Sequence, residues 1–265
     1  MEEGSEFLER FTHKKDYRWP MFTSCCPGWV RFLKSQYPER TEELSTAKSP
    51  QQMFGAIAKT YFAERIGIDP KRLFVVSIMP CVAKKSECTL PTMRGEDGIP
   101  DVDVSITTRE LDIMLRANHI SPVHLPEEEF DPALGIATGA GHIFGASGGV
   151  MEAALRTAYA LLAGEELKNP DIISVRGLNN SLVEATVPIP LKAQGGKIFE
   201  LRVAVVNGAL QDLKNVMKII NEDKDRWHFI EVMNCPGGCV NGGGQPLQGA
   251  GSSWLAPTTP LPVKL

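Results

Sequence analysis

The most informative segment of the chain is E-V-M-N-C-P-G-G-C-V-N-G-G-G-Q-P, from Glu231 to Pro246. It places Cys235 and Cys239 four positions apart on a backbone that carries five glycines. Glycine is favoured where the main chain must turn through positive φ or pass close to a bulky group. An iron–sulfur cluster is such a group, so this stretch predicts a metal-binding loop.

Further ligands are expected from two other cysteine motifs. T-S-C-C-P-G-W contains Cys25 and Cys26, and M-P-C-V-A-K-K-S-E-C contains Cys81 and Cys88. One thiol from each motif, added to the C-x-x-x-C pair, gives the four thiolates that a cubane iron–sulfur cluster takes. A structural zinc ion is the alternative, because its ligands are also thiolates. Zinc pairs are usually C-x-x-C and need no glycine-rich cradle, so we favour the cluster.

Composition limits the class of protein. The 265 residues are 43% hydrophobic, enough for one large domain or two lobes. Acidic and basic residues are interspersed and the net charge is -4, which argues against a nucleic-acid partner. Apolar runs are short and no export signal is visible, so we expect no membrane partner. Six cysteines are too few for a disulfide scaffold and suit metal binding in a reducing compartment, which predicts a cytoplasmic protein.

The pattern of apolar residues predicts an α/β fold, with two lobes of mostly parallel sheet flanked by helices and the cluster site in the cleft between them. A glycine-rich loop is expected at Gly139–Gly149. The predicted strands are Trp19–Thr23, Leu73–Met79, Asp103–Ile106, Ile172–Val175, Leu201–Val206 and Phe229–Met233. The predicted helices are Glu2–Phe11, Gly28–Gln36, Pro50–Ile66, Thr107–Asn118, Val150–Ala163 and Leu210–Ile220.

All three cysteine motifs then follow the carboxyl end of a strand. Open α/β sheets bind their ligands at that end, because the loops there converge on a crevice. The continuous apolar run Leu73–Met79 is typical of a parallel strand with both faces covered. The secondary-structure pattern and the cysteine pattern therefore indicate one site.

Together these motifs resemble those of the iron-only, or [FeFe], hydrogenases, which reversibly convert protons and electrons to dihydrogen. The connecting stretches T-A-K-S-P-Q-Q and G-A-S-G-G-V-M-E-A-A-L-R are similar to that family too. The resemblance implies that residues 1–246 are an H-cluster-binding hydrogenase domain whose N-terminal part is incomplete. Residues 247–265 have no periodicity, and we expect them to be a disordered tail.

The resemblance also implies the cofactor and its ligands. The cubane would be a [4Fe-4S] cluster held by Cys26, Cys81, Cys235 and Cys239. The sulfur of Cys239 would bridge to a two-iron unit with carbonyl and cyanide ligands, and the two parts form the H-cluster. Cys25 would bind no iron and would hand protons to the bridging amine of the two-iron unit.

Other family positions carry over to pocket and proton-route residues. Lys84 would pair with a cyanide ligand, and the remaining pocket residues would be Met79, Met233, Pro50, Gln51 and Phe144. The proton route would continue through Ser45, Glu6 and Glu3. Without the resemblance, the methionines are ordinary core residues and the glutamates ordinary surface charges. Cys88 matches no ligand position and is expected to be a small core residue.

The sequence lacks the accessory ferredoxin-like cysteine runs of the family, so electrons would reach the cubane directly from a partner. The expected partners are ferredoxin or an NAD(P)-linked electron-transfer subunit, and maturation proteins that deliver the two-iron unit. The resemblance implies anaerobic hydrogen metabolism. Two alternatives stay open: a Nar-type iron–sulfur assembly factor, and a catalytically silent or hydrogen-sensing relative. The adjacent Cys25 and Cys26 favour the enzyme, because the assembly factors lack the proton-transfer thiol beside the ligand.

Overall fold

The structure, a computed structural model, describes residues 1–13, 19–136, 138–167, 175, 181–208 and 210–246. Its strands are β1 (Met21–Phe22), β2 (Val76–Met79), β3 (Val104–Thr107), β4 (Leu182–Leu191), β5 (Lys197–Asn207) and β6 (Phe229–Met233). Its helices are α1 (Glu2–His13), α2 (Pro27–Gln36), α3 (Pro50–Ile57), α4 (Ala63–Ile66), α5 (Ala83–Glu87), α6 (Thr108–Ala117), α7 (Gly139–Ile143), α8 (Gly149–Ala163) and α9 (Leu210–Glu222).

The chain divides into two compact units. The first unit combines Met1–Ser49 with Ala137–Cys239, and the second combines Pro50–Ile136 with Val240–Leu265. Each unit contains parallel strands and helices, so the predicted α/β class with mostly parallel sheet is confirmed. The division also places the predicted ligands Cys26, Cys235 and Cys239 in the first unit and Cys81 in the second.

The first unit contains a four-stranded sheet in the order β1-β6-β5-β4. Strand β6 lies between two parallel neighbours, with Met21 of β1 and Val203 of β5 both opposite Phe229. All five residues of β6 are buried, which is typical of a parallel strand covered on both faces. Its predicted bounds, Phe229–Met233, are confirmed.

Helices cover both faces of this sheet. On one face, Trp29 and Leu33 of α2 pack with Leu213 and Met217 of α9. On the other face, the buried residues come from α1 and α8 and include Phe7, Met151 and Leu155. Burying a large apolar side chain contributes about 1.5–3 kcal/mol, so these two layers hold the carboxyl ends of β1 and β6 in fixed places.

Strand β4 is missing from the sequence-based prediction. It pairs antiparallel with β5 from Leu182↔Val206 to Leu191↔Lys197. Pro188 and Pro190 interrupt its apolar pattern, and proline removes a backbone donor from a strand. Because β4 is an edge strand, both prolines can face the outer edge, where no ladder bond is lost.

The second unit contains a parallel pair of strands, β2 and β3, with Val76 opposite Val104. The prediction that both faces of the Leu73–Met79 run are covered is wrong for the part of the chain that the structure describes. Strand β2 begins only at Val76, and Val76 and Ile78 are 48% and 50% exposed. A run of apolar residues shows that a strand could be buried on both faces, but it does not show whether other elements pack against those faces.

Helix boundaries agree with the sequence signals. The predicted helix Pro50–Ile66 forms as α3 and α4 joined by a π-helical turn, and Gly67 ends it at φ 68°. Thr107 and Glu110 form the predicted capping box of α6.

The prediction of a loop at Gly139–Gly149 is partly wrong, because α7 occupies its first half. Of the predicted strand Ile172–Val175, only Val175 lies among the described residues.

Candidate metal centre

The Cys25-Cys26 motif is anchored beside the central strand β6. The Thr23 amide donates to the Ile230 carbonyl at 3.0 Å, and the Thr23 hydroxyl accepts from the Val232 amide at 3.2 Å. The Trp29 indole donates to the Thr23 carbonyl at 3.1 Å. Since α2 begins at Pro27, the buried Cys26 stands directly before its first turn.

The C-x-x-x-C loop follows β6 and turns sharply at a glycine pair. Gly237 and Gly238 have φ values of 81° and 96°, a region that side chains rarely adopt. The Gly238 amide donates to the Cys235 carbonyl at 2.9 Å. These two glycines therefore shape the loop that carries Cys235 and Cys239.

Parallel pairing brings the two cysteine motifs of the first unit to one sheet edge. Strands β1 and β6 are neighbours, so the segments after Phe22 and after Met233 leave the sheet at the same edge. A Cβ atom at Gly28 would lie 3.4 Å from Nδ2 of Asn234, so these segments also touch. Gly28 is two residues from Cys26, and Asn234 directly precedes Cys235.

Cys81 lies in the second unit, directly after β2. The Gly244 amide donates to the Pro80 carbonyl at 2.9 Å, and the Gly244 carbonyl accepts from the Arg109 amide at 2.9 Å. A Cβ atom at Gly244 would come within 3.0 Å of the Cys81 nitrogen. Gly244 is therefore required for close packing of the glycine-rich stretch against Pro80 and Cys81.

The predicted donor set consists of cysteine thiols, which fits an iron–sulfur cluster. All of the predicted ligands are cysteines that follow strands. Within the described ranges, no three histidine, cysteine, aspartate or glutamate side chains gather as they would around one metal ion. A cubane takes its thiolates on separate irons, and their convergence across the two units stays a prediction.

Lys84 is the centre of a buried polar network in the second unit. Its ammonium lies 3.2 Å from the Glu87 carboxylate, and both side chains are less than 5% exposed. The Gln51 amide donates to Glu87 at 2.7 Å and accepts from the Ser77 hydroxyl at 2.7 Å. Sequence reasoning missed Glu87, although the Lys-x-x-Glu spacing on a helix could have indicated it.

Cys88 is buried next to this network. Its sulfur accepts from the side-chain amides of Gln51 and Gln52, and burial raises the pKa of its thiol. It packs with Ala58 and Val102. The prediction that Cys88 is a core residue is confirmed.

The other predicted pocket residues lie at the ends of elements. Met233 is the buried last residue of β6, and Met79 is the partly buried last residue of β2. Phe144 follows α7 and is partly buried, whereas Pro50 begins α3 and is exposed. Among the described residues, no contact shows which group any of these four side chains would bind.

The predicted proton-route residues do lie together, in the first unit. The Ser45 hydroxyl donates to Glu6 at 2.6 Å, and Ser45 is also a hydrogen-bond partner of Glu3. Glu3 accepts from the backbone amide and hydroxyl of Ser24 at 2.9 and 3.2 Å. Burial raises the pKa of Glu3, and the Ser24 bonds oppose that rise. The two glutamates are thus not ordinary surface charges.

Sequence reasoning missed two members of this group. Ser24 bonds to Glu3 and directly precedes Cys25 in the chain. Arg10 is buried and donates to Glu6 and to the Leu44 carbonyl. Arg10 is four residues after Glu6, a helical spacing that could have indicated the pair.

The parallel strands β1, β2 and β6 are each followed by a cysteine motif, an arrangement that suits an α/β protein with a metal centre. Residues 1–243 match the family described as "Iron only hydrogenase large subunit, C-terminal domain", and the chain belongs to that family.

Curated relatives support the assignment. The chain is 49% identical over 250 residues to the NADP-reducing hydrogenase subunit HndD of Solidesulfovibrio fructosivorans, covering 93% of this chain and 41% of the relative. It is 48% identical over 246 residues to the periplasmic [Fe] hydrogenase large subunit of Nitratidesulfovibrio vulgaris, covering 93% of this chain and 56% of the relative. The chain thus spans about half the length of these relatives.

A solved [FeFe]-hydrogenase, from work on oxygen inactivation through its H cluster 2Fe subcluster, superimposes with a TM-score of 0.78. It is 37% identical, and the match covers 94% of this chain and 68% of that one. The cytosolic Fe-S cluster assembly factor narfl of Xenopus tropicalis is less similar, at 31% identity over 263 residues, covering 96% of this chain and 53% of the relative. Among the described helices, none is both long and apolar enough to cross a membrane.

Proposed function

We propose that this chain is the catalytic domain of an [FeFe]-hydrogenase that catalyses 2H⁺ + 2e⁻ ⇌ H₂ at an H-cluster. The observation that carries the proposal is the hydrogen-bonded chain of Glu6, Ser45, Glu3 and Ser24, which ends at the residue before Cys25. A metal-binding loop needs no series of hydrogen-bonded proton carriers beside it, whereas a proton-transfer thiol does.

Four thiolates, from Cys26, Cys81, Cys235 and Cys239, would hold the [4Fe-4S] cubane, and Cys239 would also bind the two-iron unit. When bound, the H-cluster supplies the redox chemistry and the open iron at which dihydrogen forms or splits. The CO and CN ligands of the two-iron unit are part of this proposal. A similar solved structure is described as having an H cluster with a 2Fe subcluster.

The residues of the chain move the proton. Cys25 would act as acid and base at the reaction centre, since a thiol has an ordinary pKa of about 8.5 that its surroundings tune readily. Its proton would be replaced from Glu3, because burial raises the pKa of Glu3 and favours its protonated form. Ser45 can accept from one carboxyl group and donate to the other, so it would pass the proton between Glu6 and Glu3.

The pocket residues would bind and orient the two-iron unit. Lys84 lies beside Glu87 in a buried site, where a cyanide ligand would be a further anionic partner for its ammonium group. Met79 and Met233 would contact the two-iron unit with polarisable thioethers, together with Pro50, Gln51 and Phe144.

Partners and location follow from the same proposal. The name of the HndD relative supports an NAD(P)-linked electron-transfer subunit as partner, with ferredoxin as the alternative donor. Maturation proteins would deliver the two-iron unit. We place the protein in the cytoplasm and in anaerobic hydrogen metabolism, because six cysteines in metal-binding motifs suit a reducing compartment. One of its relatives is periplasmic, so fractionation of the source cells is the test.

The assembly-factor alternative has a weaker basis, since that relative is 31% identical against 49% for a hydrogenase subunit. Anaerobic reconstitution of the full chain, followed by maturation with a synthetic two-iron unit, separates the two. We expect infrared bands of bound carbonyl and cyanide, hydrogen evolution with a reduced dye, and about six irons per chain. About four irons, a cubane spectrum and no such bands would overturn the proposal.

A further inference from the structure

The C-x-x-x-C loop, residues 235–239, packs directly on another turn of the first unit. That turn, residues 145–148, precedes α8, and its Ser147 amide donates to the Gly237 carbonyl at 3.1 Å. A Cβ atom at Gly238 would lie 2.5 Å from the Ser147 nitrogen and 2.6 Å from the Gly145 carbonyl oxygen. The two backbones therefore touch with no side chain between them.

One side chain joins both segments. Asn207, the last residue of β5, is 8% exposed, and its Oδ1 atom accepts from the Gly237 amide at 2.6 Å and from the Ser147 hydroxyl at 2.8 Å. Asn207 also lies opposite Met233 in the β5–β6 ladder. A single amide oxygen on a rigid strand thus holds the glycine of one turn and the serine of the other.

The far end of the 145–148 turn is held by a second side chain. Glu231 is fully buried, and its carboxylate accepts from the Gly148 amide at 2.8 Å and from the Met151 amide at 2.6 Å. A carboxylate at a helix N-terminus is stabilised by the unpaired amides and the helix dipole. Since Glu231 is on β6, both ends of the turn are fixed to neighbouring strands.

We propose that Asn207 is a positioning residue for the C-x-x-x-C loop, which it holds in its cluster-binding conformation before any iron arrives. Cys235 and Cys239 stand on a backbone with two left-handed glycines, and such a backbone loses much conformational freedom when it is ordered. The hydrogen bonds of Asn207 order this backbone when the chain folds, so the conformational freedom is lost before a cluster binds. The identity of the cluster rests on the proposed function, whereas the ordering of the loop does not.

The test compares Asn207→Leu, which has similar volume and no acceptor, with Asn207→Asp, which keeps the acceptor oxygen. Asn118→Leu is the control, because the Asn118 side chain donates to Met114 in its own helix, in the other unit. Hydrogen exchange of the cluster-free chain is the first readout. We expect Asn207→Leu to exchange at least about tenfold faster than wild type at residues 145–148 and 237–238, with Asn207→Asp close to wild type.

Cluster retention is the second readout. After reconstitution with iron and sulfide, removal of iron by a chelator is followed anaerobically. Asn207→Leu should bind the cluster about 10- to 100-fold more weakly, which is the usual loss when a residue that supports a metal ligand is replaced. If Asn207→Leu does not fold, Ser147→Ala provides the measurement, with faster exchange expected at residues 145–148. Wild-type exchange rates in the folded variants would overturn the inference. A wild-type chain that takes up no cluster would instead overturn the proposed function and leave the exchange test intact.

Discussion

The hydroxyl of Ser45 donates a hydrogen bond of 2.6 Å to the carboxylate of Glu6, although the two residues are 39 positions apart. Glu6 is on α1, and Ser45 follows a short 3-10 turn, Pro38–Glu43, at the edge of the sheet. The Glu6 carboxylate also accepts from the Thr46 amide at 2.9 Å. Helix α1 is therefore fastened to the segment that Ser45 occupies.

Ser45→Ala should slow hydrogen evolution by about 10²- to 10⁴-fold, because it removes the group that joins the two carboxyl side chains of the route. Cluster content should not change. The control is Ser35→Ala, whose hydroxyl bonds the Phe32 carbonyl on the exposed surface of α2. Equal turnover in the two variants would show that protons do not pass through Ser45.

Cys25→Ala should retain the iron of wild type and nearly abolish turnover, since alanine cannot donate or accept a proton. Cys239→Ala should lose the two-iron unit, because the bridging sulfur is gone. Iron counting with hydrogen evolution checks both variants. Unchanged hydrogen evolution by Cys25→Ala would refute the shuttle role.

Glu87→Met should lower the free energy of unfolding by about 3–5 kcal/mol, because it leaves the buried ammonium of Lys84 without its carboxylate. Replacing both residues with methionine should recover much of that loss, since no unpaired charge is then buried. Lys85→Met on the same helix is the control, because its partner Glu110 is exposed and its loss costs little. Urea unfolding measures all three, and equal losses for Glu87 and Lys85 would contradict the role of burial.

Gly238→Ala should destabilise the chain by about 1–3 kcal/mol through backbone strain alone, since φ is 96° there. The added Cβ would also clash with the Ser147 backbone, so iron uptake should fall. Gly243→Ala is the matched control, because a Cβ atom there meets nothing within 4 Å. Similar iron uptake by the two variants would argue against close packing at Gly238.

The Glu231 carboxyl gives stability a pH dependence. Burial raises its pKa from 4.5 to about 7 against the opposing amide bonds, with Glu3 adding to the rise. Because the folded pKa is the higher one, this contribution is complete below about pH 4.5 and is lost as pH rises to about 7. In Glu231→Gln the difference from wild type should change across that window in urea unfolding, and a flat difference would contradict it.

His228 contributes to the pH dependence of stability in the opposite direction. Burial and Arg202 lower its pKa from 6.5 to about 4, so its contribution is complete above about pH 6.5 and is lost as pH falls to about 4. Its ring accepts from the Arg202 amide at 3.0 Å, a bond that needs the neutral form. Since Glu231→Gln retains His228, the histidine contribution cancels in the difference between that variant and wild type.

The local elements and the chemistry of the loops could be predicted from the amino-acid sequence. Capping residues and glycine stops gave the bounds of α6 and α8, and the four apolar residues of Phe229–Met233 gave β6, because these signals act between neighbours in the chain. Cysteine spacing indicated an iron–sulfur cluster because ligand chemistry depends on residue type. The match of residues 1–243 to the iron-only hydrogenase family confirms the family that these motifs indicated.

Only the tertiary structure decided which distant side chains meet. Strand β4 forms despite its prolines because β5 offers it an edge, and β2 leaves apolar side chains exposed. The sequence patterns assigned no role to Asn207 or Glu87, and their importance comes from the amides and the ammonium that folding places beside them. Hydrogen bonds of this kind depend on distances set by packing between elements, which a one-dimensional pattern does not contain.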